Sequence, residues 1–376
     1  MAVLFDSFSY RIKEVESGIC YDRWHFGKYP ELTMPEHLYY LNRVINCLLT
    51  HDKIIIRTDS LEEIIDVLGF EAFRLLYERQ ELVIIDNWWF PAFMIGNENL
   101  LFMNMHQSNY YDKVIERINN KYGFQASLFI KQVFKKVTSD SESEEYVYWD
   151  HIAQENMYED FTINNQIRTY LNIESENILD INEKDTWSAV RLCLFERSLV
   201  WGSYLQTDEI ILEDEAKYYF MQKNNLIPEQ TLNDRMNKYL FARNIPNLSL
   251  LYYNKIIDIK KIIQVRDHAF GGFYRDWLQS NNYNINELER ILLGGSSSSQ
   301  AEKWFRWGLV SVTGLILPAV GGLAVSLLNE KIPSFSQKIP NIFFDHVLSQ
   351  VFNTTSNPQL SSSASFLRLN VLSSLN

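Results

Sequence analysis

The first clear pattern in the chain is a helical spacing of apolar residues between positions 34 and 50. Apolar side chains recur there at intervals of three and four, at Leu38, Leu41, Val44, Ile45 and Leu48. This spacing places them on one face of a helix. Residues 34–50 are therefore predicted to form an amphipathic helix that packs one face against a core.

A different pattern follows, in which two short apolar runs flank two helical segments. The predicted order is a strand at 53–57, a helix that ends at Leu68, a second helix at 71–79 and a strand at 81–86. Ser60 and Glu63 have the spacing of a capping box, which predicts the start of the first helix. Gly69 follows it as a stop signal. This strand–helix–helix–strand unit indicates a small α/β fold near the N-terminus.

Helical patterns dominate the rest of the chain. Further predicted elements are a strand at 100–105 and helices at 109–121, 126–137, 186–205, 208–224, 256–279 and 341–352. Asp185 is the predicted N-cap of the helix at 186–205, and Gly271-Gly272 are expected to interrupt the helix at 256–279. The predicted fold class is mainly α, with the small N-terminal α/β unit and an apolar helical hairpin or single span near the C-terminus.

Changes of composition along the chain predict its division into parts. The acidic run SDSESEE at residues 139–145 is typical of a solvated loop, and GGSSSSQ at 294–300 has the composition of a flexible linker. The predicted parts are the α/β unit at 1–138, a helical domain at 146–293, the linker at 294–300, an apolar C-terminal segment at 301–352 and a loose Ser-rich tail at 353–376.

Charge is distributed unevenly. The formal net charge is -12, yet from Lys303 onward five basic residues face only two acidic ones. An acidic body argues against broad binding to a nucleic-acid backbone, which requires clustered Lys and Arg. The mildly basic C-terminal part is suited to an anionic membrane surface. A lipid membrane or another protein is therefore the expected partner, and the sequence carries no signal for an oligomeric state.

Cysteine usage indicates a reducing compartment. Cys20, Cys47 and Cys193 are scattered and odd in number, so they form neither a disulfide framework nor a CxxC metal motif. Residues 1–18 include Asp6 and contain no apolar run of signal-peptide length. The expected location is the cytoplasm, in association with the inner membrane if the C-terminal segment contacts lipid.

His151 and Glu155 are the candidate metal ligands in the sequence. They are four residues apart on a predicted helix, which places both side chains on one face, and Asp150 is adjacent. The alternative interpretation is an exposed polar face after an acidic loop, and it is the preferred one because short motifs often match by chance. The sequence contains no phosphate-binding glycine loop, so no cofactor is predicted.

The triplet Glu215-Ala216-Lys217, with Asp208 upstream, matches the sequence pattern of a nuclease motif. In many metal-dependent nucleases an Asp and a Glu hold the metal while the Lys polarises the attack. That motif normally lies on a strand, whereas the residues around this triplet have a helical pattern. The triplet is therefore a weak candidate for a catalytic site.

Two aromatic-rich stretches have two interpretations each. Residues 265–278, VRDHAFGGFYRDWL, mix charged and aromatic side chains, and WWFP at 88–91 is strongly aromatic. Either could be a docking surface for another protein. The preferred interpretation is that the aromatic residues belong to cores, because aromatic stripes at helical spacing are normally buried.

Residues 308–328, GLVSVTGLILPAVGGLAVSLL, contain no charged side chain. As a helix, twenty-one residues extend about 31 Å, close to the thickness of the hydrocarbon core of a bilayer. The features that bear on its interpretation are the flanking Trp304 and Trp307, the central Leu315 and Pro318, and the pair Gly321 and Gly322. The tryptophans favour a membrane interface. The proline and glycines equally suit a hairpin of two short helices, either dipping into one leaflet or buried in a soluble core.

Three functions remain open from the sequence. The leading hypothesis is a cytosolic, bacterial effector of the defence or toxin type, with a sensing or partner-binding body and a C-terminal membrane-associating segment. The first alternative is a soluble metal-dependent nuclease or other hydrolase. The second is a non-enzymatic adaptor protein. The sequence therefore leaves undecided whether the chain is an enzyme.

Overall fold

The computed structural model describes fourteen stretches of the chain. They are residues 1–6, 13–15, 18–20, 32–85, 89–95, 100–106, 108–140, 144–178, 181–212, 214–224, 232–243, 245–281, 284–294 and 338–352. The chain divides into two compact units, of which the first comprises Met1–Leu41 and Asp52–Glu229 and the second Asn42–His51 and Gln230–Asn376. Residues on both sides of the acidic run at 139–145 lie in the first unit. The domain limits expected from composition stay predictions.

A parallel sheet of four strands is the centre of the first unit. The described residues form the strands β1 Ala2–Phe5, β2 Lys13–Val15, β3 Gly18–Cys20, β4 Lys53–Arg57, β5 Leu82–Ile85, β6 Trp89–Ile95, β7 Leu100–His106 and β8 Glu209–Ile211. The sheet has the order β5-β4-β1-β8, with every neighbouring pair parallel. The other strands form the antiparallel hairpins β2–β3 and β6–β7. Buried parallel strands read as continuous apolar runs, which β4 illustrates with Ile54, Ile55 and Ile56.

Helices make up most of the described residues of the first unit and confirm the mainly helical prediction. They are α1 Met34–Thr50, α2 Leu61–Leu68, α3 Phe70–Glu78, α4 Ser108–Tyr122, α5 Phe124–Asp140, α6 Glu144–Thr162, α7 Asn165–Leu171, α8 Glu183–Tyr204 and α9 Asp214–Asn224. The predicted strand–helix–helix–strand unit is β4–α2–α3–β5. Helix α1 starts in the first unit, and its residues from Asn42 onward group with the second.

The helix start predicted at Ser60 is confirmed, because Ser60 is the N-cap residue of α2, but the predicted capping-box hydrogen bond is wrong. A short 3-10 turn, Thr58–Ser60, precedes α2, and the Ser60 side chain makes no cap hydrogen bond. Ser60 and Glu63 are instead both buried. The stop at Gly69 is confirmed, because this residue adopts a φ of 81°, which a side chain with a Cβ rarely tolerates.

Two helix starts also differ from the sequence prediction. Asn182, not Asp185, caps α8, because its side chain accepts the backbone N–H of Asp185. The carboxylate of Asp185 instead accepts the N–H groups of Glu174 and Ser175. The predicted helix at 208–224 is strand β8 followed by α9. Its first residues pair with β1, and this long-range pairing overrides a local helical pattern.

The second unit consists of helices among its described residues. They are α10 Leu232–Ala242, α11 Leu248–Tyr253, α12 Ile259–Asp267, α13 Ala269–Ser280, α14 Ile285–Gly294 and α15, which runs through Ile339–Ile342, the π-helical Phe343–Leu348 and Ser349–Phe352. The predicted helix at 256–279 starts only after Asp258, whose side chain caps α12 by accepting the backbone N–H of Lys261 at 3.1 Å. It then breaks at His268, whose ψ of 140° is extended, and not at the two glycines.

Helix α15 is part of the core of the second unit. Phe343, Phe344 and Phe352 have no exposed surface, and the helix packs against α13 and α14. The helix predicted at 341–352 is therefore confirmed. Residues 301–337, which include Trp304, Trp307, Leu315, Pro318, Gly321 and Gly322, lie outside the described residues. Within the described ranges, no helix combines the length and apolar character that crossing a membrane requires.

Candidate functional site

The parallel sheet reverses its strand order at β1. The chain proceeds from β1 to β4 and then to β5 on one side, whereas β8 is added on the other side of β1. In open parallel sheets, ligands bind beyond the carboxyl ends of the strands at such a reversal. The residues at the carboxyl ends of β1 and β4 therefore form the first candidate site.

Asp6 and Arg57 meet at this edge. Asp6 directly follows β1, Arg57 ends β4, and Arg57 Nη2 donates to Asp6 Oδ1 at 2.7 Å. Ser198 of α8 donates to the other carboxylate oxygen of Asp6. The backbone N–H of Asp6 donates to the carbonyl of Ile211 at 2.9 Å, which ties the end of β1 to β8. We call Asp6, Arg57 and Ser198 the edge cluster.

Helix α8 delivers Ser198 to the edge cluster because it lies close against the sheet. Trp201 of α8 packs with Leu4 and Ile55 from neighbouring strands. Gly202 permits the close approach, since a Cβ at this position would lie 2.3 Å from Ile210 Cδ1 of β8. Because α8 is held this closely against β8, the position of the Ser198 hydroxyl, one turn before Gly202, is fixed as well.

Burial gives the edge cluster its chemical character. The side chains of Asp6 and Arg57 are fully buried, and Ser198 is 0% exposed. Removing one partner of such a pair leaves the other charge unpaired in a medium that solvates it poorly, which costs about 3–5 kcal/mol. The cluster can therefore hold a polar group in a fixed orientation. A substrate could react there only if it reaches a surface that is closed to water in this structure.

A second polar cluster joins three helices. Lys223 Nζ of α9 donates to Asp160 Oδ2 of α6 at 2.6 Å and to Glu196 Oε1 of α8 at 2.8 Å. Tyr219 also donates to Asp160 Oδ2, at 2.6 Å, and Asn164 donates to Asp160 Oδ1 at 3.0 Å. We call these residues the three-helix cluster.

The two carboxyl groups of the three-helix cluster have opposite pKa shifts. Burial raises the pKa of Glu196 to about 7, and attraction to Lys223 offsets this only in part. Burial also acts to raise the pKa of Asp160, but hydrogen bonds from Lys223 and Tyr219 outweigh it and hold that pKa below its usual range. Carboxyls with pKa values that diverge in this way occur in acid–base sites and in buried ion-pair networks alike.

The structure brings the predicted metal ligands together as an exposed pair. His151 Nε2 lies 3.4 Å from Glu155 Oε1, with the two side chains 67% and 65% exposed. Among the described residues, no group of three His, Cys, Asp or Glu side chains converges as a metal site. The geometry matches the interpretation of a solvated helix face.

The structure does not assemble the predicted nuclease triplet with its aspartate. Asp208 lies at the amino end of β8, where its carboxylate accepts the backbone N–H of Ala2 at 2.7 Å. Glu215 and Lys217 lie in α9, beyond the carboxyl end of the same strand. The three residues of strand β8 therefore lie between Asp208 and the two other residues. Each residue of a strand adds about 3.3 Å to that separation.

Sequence reasoning missed both clusters. The edge cluster carried a readable signal, since the runs AVLFD and IIIRTD each end an apolar strand with a charged residue. The three-helix cluster carried none, because Asp160, Glu196 and Lys223 are far apart in sequence on separate helices.

Comparison with known proteins identifies no relative of this chain. Searches of protein-family models, of curated proteins and of solved structures found no match to this chain.

Proposed function

We propose that this chain is a cytoplasmic effector whose C-terminal apolar run, residues 308–328, associates with one side of a membrane. The observation that supports this proposal is the way the second unit holds the two flanks of the run. The flanks are α14, which ends at Gly294, and α15, which begins at Ile339. A single side chain, Arg243, bonds to both.

Arg243 follows α10 and is largely buried. Its Nη2 donates to the carbonyl of Leu292 in α14 at 2.7 Å, and its Nη1 donates to Asp345 Oδ1 in α15 at 2.6 Å. Nη2 also donates to the side-chain oxygen of Asn341. Because a guanidinium is planar and its donors are fixed, these bonds set the two helices beside each other.

The contacts of Arg243 favour one mode of membrane association over another. A single permanent crossing by residues 308–328 would separate α14 from α15 by a bilayer whose hydrocarbon core is about 30 Å thick. Arg243 could not then bond to Leu292 and Asp345 at once. The proposal is therefore association with one side of the bilayer, with the body kept on that side.

The test is co-sedimentation of the full chain with vesicles that contain anionic lipid. Wild-type protein is expected to pellet with the vesicles, and Leu315→Asp and Gly321→Leu are expected to abolish this, because they add a charge or a bulky side chain to the apolar run. Ser361→Asp, in the Ser-rich tail, adds the same charge outside the run and should leave pelleting unchanged.

Point variants are the correct tool because truncation would damage the body. A chain that ends at Leu293 lacks α15 and with it the buried Phe343, Phe344 and Phe352. Loss of membrane binding in that truncation would thus have two explanations. If wild type and both point variants pellet equally, or if none does, the proposal fails.

The edge cluster favours a second candidate function, a soluble hydrolase or ligand-binding protein. Its supporting observation is the charged pair Asp6–Arg57 at the reversal of the sheet. The purified chain would be incubated with DNA or RNA and a divalent metal, as wild type, Asp6→Asn and Asp208→Asn. Degradation lost in Asp6→Asn, in a sample that remains folded, and kept in Asp208→Asn would favour this candidate. A stable protein partner with no lipid or metal dependence would favour an adaptor instead.

A further inference from the structure

The three-helix cluster presents two carboxyl groups to one ammonium group. If Asp160 and Glu196 are both ionised, Lys223 leaves one negative charge uncompensated. The side chains of Asp160 and Glu196 are 4% and 1% exposed, so water screens this charge poorly. Uncompensated buried charge costs several kcal/mol. The cluster is therefore most stable when it binds one proton.

Hydrogen bonding decides which carboxyl holds that proton. Asp160 accepts from Lys223, Tyr219 and Asn164, and each of these donors stabilises its ionised form. Among the described residues, Lys223 is the donor that faces Glu196. Glu196 is also the more deeply buried of the two. The proton therefore belongs on Glu196, where it can be shared with Asp160.

We propose that Glu196 is a proton-operated contact between helices, which docks α9 firmly on α6 and α8 when protonated and weakens that docking when ionised. Among the described residues, the titratable groups linked to Glu196 through hydrogen bonds at this contact are Asp160 from α6 and Lys223 and Tyr219 from α9. Helix α9 is the element that responds, because its Lys223 bonds to both other helices and its Tyr219 bonds to α6. This inference does not depend on the apolar run.

The direction of the pH effect follows from the shift of Glu196. The pKa of this carboxyl is raised by burial to about 7 in the folded protein, from 4.5. Protonation thus favours the docked state fully below pH 4.5, and the contribution is lost as pH rises through 7. Between pH 6 and 8, a carboxyl with these two values increases the opening equilibrium constant about tenfold.

The experiment measures hydrogen exchange of the α9 backbone amides in the full chain at pH 6 and pH 8, corrected for the intrinsic effect of pH. Wild type is expected to lose about tenfold in protection. Glu196→Gln keeps a neutral side chain at both pH values, so its loss of protection between them should be about tenfold smaller than that of wild type. Glu159→Gln neutralises an exposed carboxyl on α6 and should behave as wild type.

Comparison between variants removes the contribution of other titrating groups, since all three proteins share them. Equal loss of protection in wild type and Glu196→Gln overturns the proposal. A direct titration covers the case in which Glu196→Gln does not fold. In wild-type protein with isotope-labelled glutamate, one carboxyl should titrate near pH 7 by infrared or NMR spectroscopy. The absence of any glutamate that titrates near pH 7 overturns the proposal as well.

Discussion

Tyr274 and Phe343 stack face to face in the core of the second unit, with ring centroids 4.3 Å apart and planes 11° from parallel. Phe344, the next residue, meets Tyr274 edge-on at 5.7 Å. These contacts bring α15 back onto α13 after the long segment that contains the apolar run. The C-terminal end of the described chain is therefore a structural part of the body and not an appendage to it.

Replacement of Phe343 by Ala should strongly destabilise the second unit. The ring is fully buried, and removal of a buried phenylalanine side chain typically costs about 3–5 kcal/mol through lost transfer energy and the remaining cavity. Chemical denaturation followed by fluorescence should show a much lower midpoint. Phe124→Ala, in the first unit, is the control for the loss of a phenylalanine ring as such, because Phe124 is 65% exposed and its truncation should change the midpoint little.

Local patterns in the sequence predicted most of the helices and the strand–helix–helix–strand unit. Apolar spacing and the stop at Gly69 act within a few residues, so sequence reveals them directly. Strand β8 was mistaken for the start of a helix because its identity comes from pairing with β1, at the other end of the first unit's sequence. A strand this short, Glu209–Ile211, carries too little local signal to override a helical pattern.

Replacement of Arg243 by Gln should loosen α15. The change removes the donors to Asp345 and to Leu292, and the loss of one partner of a largely buried, hydrogen-bonded ion pair costs about 2–4 kcal/mol. Hydrogen exchange of the α15 amides should accelerate before global unfolding. Arg290→Gln breaks an exposed pair with Glu287 on α14 and should leave α15 protection unchanged. Equal effects of both variants would contradict a specific role for Arg243.

The candidate clusters show why site residues are harder to predict than helices. Arg57 and Asp6 are fifty-one positions apart, and only the parallel register of β1 and β4 places them together. His151 and Glu155 were found because they are neighbours on one helix, yet both are exposed. Proximity in sequence therefore selected a solvated pair, while the buried clusters depend on tertiary packing.

The contribution of His268 to the stability of the second unit should fall in mild acid. This residue is exposed, but its Nδ1 caps α13 by accepting the backbone N–H of Phe270 at 3.2 Å, and partial desolvation of the ring lowers its pKa from the usual 6.5. Its contribution is present above pH 6.5 and is lost as pH falls through the folded pKa, since the unfolded chain then binds the proton more tightly. Protonation at Nδ1 also removes the acceptor.

His268→Asn is the variant that isolates this effect. Asparagine is a favoured N-cap and does not titrate, so it should keep the cap and raise the denaturation midpoint at pH 5.5 relative to that at pH 7.5, compared with wild type. His151→Asn removes an exposed histidine and should retain the wild-type difference. A pH dependence that is identical in wild type and His268→Asn would refute the role of His268.

Gly271 and Gly272 should respond in opposite ways to alanine. A Cβ on Gly271 would lie 2.4 Å from the carbonyl oxygen of Val265 and 2.8 Å from that of Arg266. These are backbone atoms at the end of α12 and cannot move aside cheaply, so Gly271→Ala should destabilise by about 1–3 kcal/mol. A Cβ on Gly272 meets nothing within 4 Å. Gly272→Ala should therefore stabilise by about 0.5–1 kcal/mol, because alanine costs less conformational entropy in a helix.

Denaturation midpoints of the two variants test the physical role of this glycine pair. If the glycines merely interrupted a helix, as their sequence suggests, both alanines would stabilise the chain. If Gly271 instead allows α12 and α13 to approach each other closely at the turn formed by His268, only Gly272→Ala will stabilise the chain. The sign of the change in Gly271→Ala separates a propensity effect from a packing effect at adjacent positions in one helix.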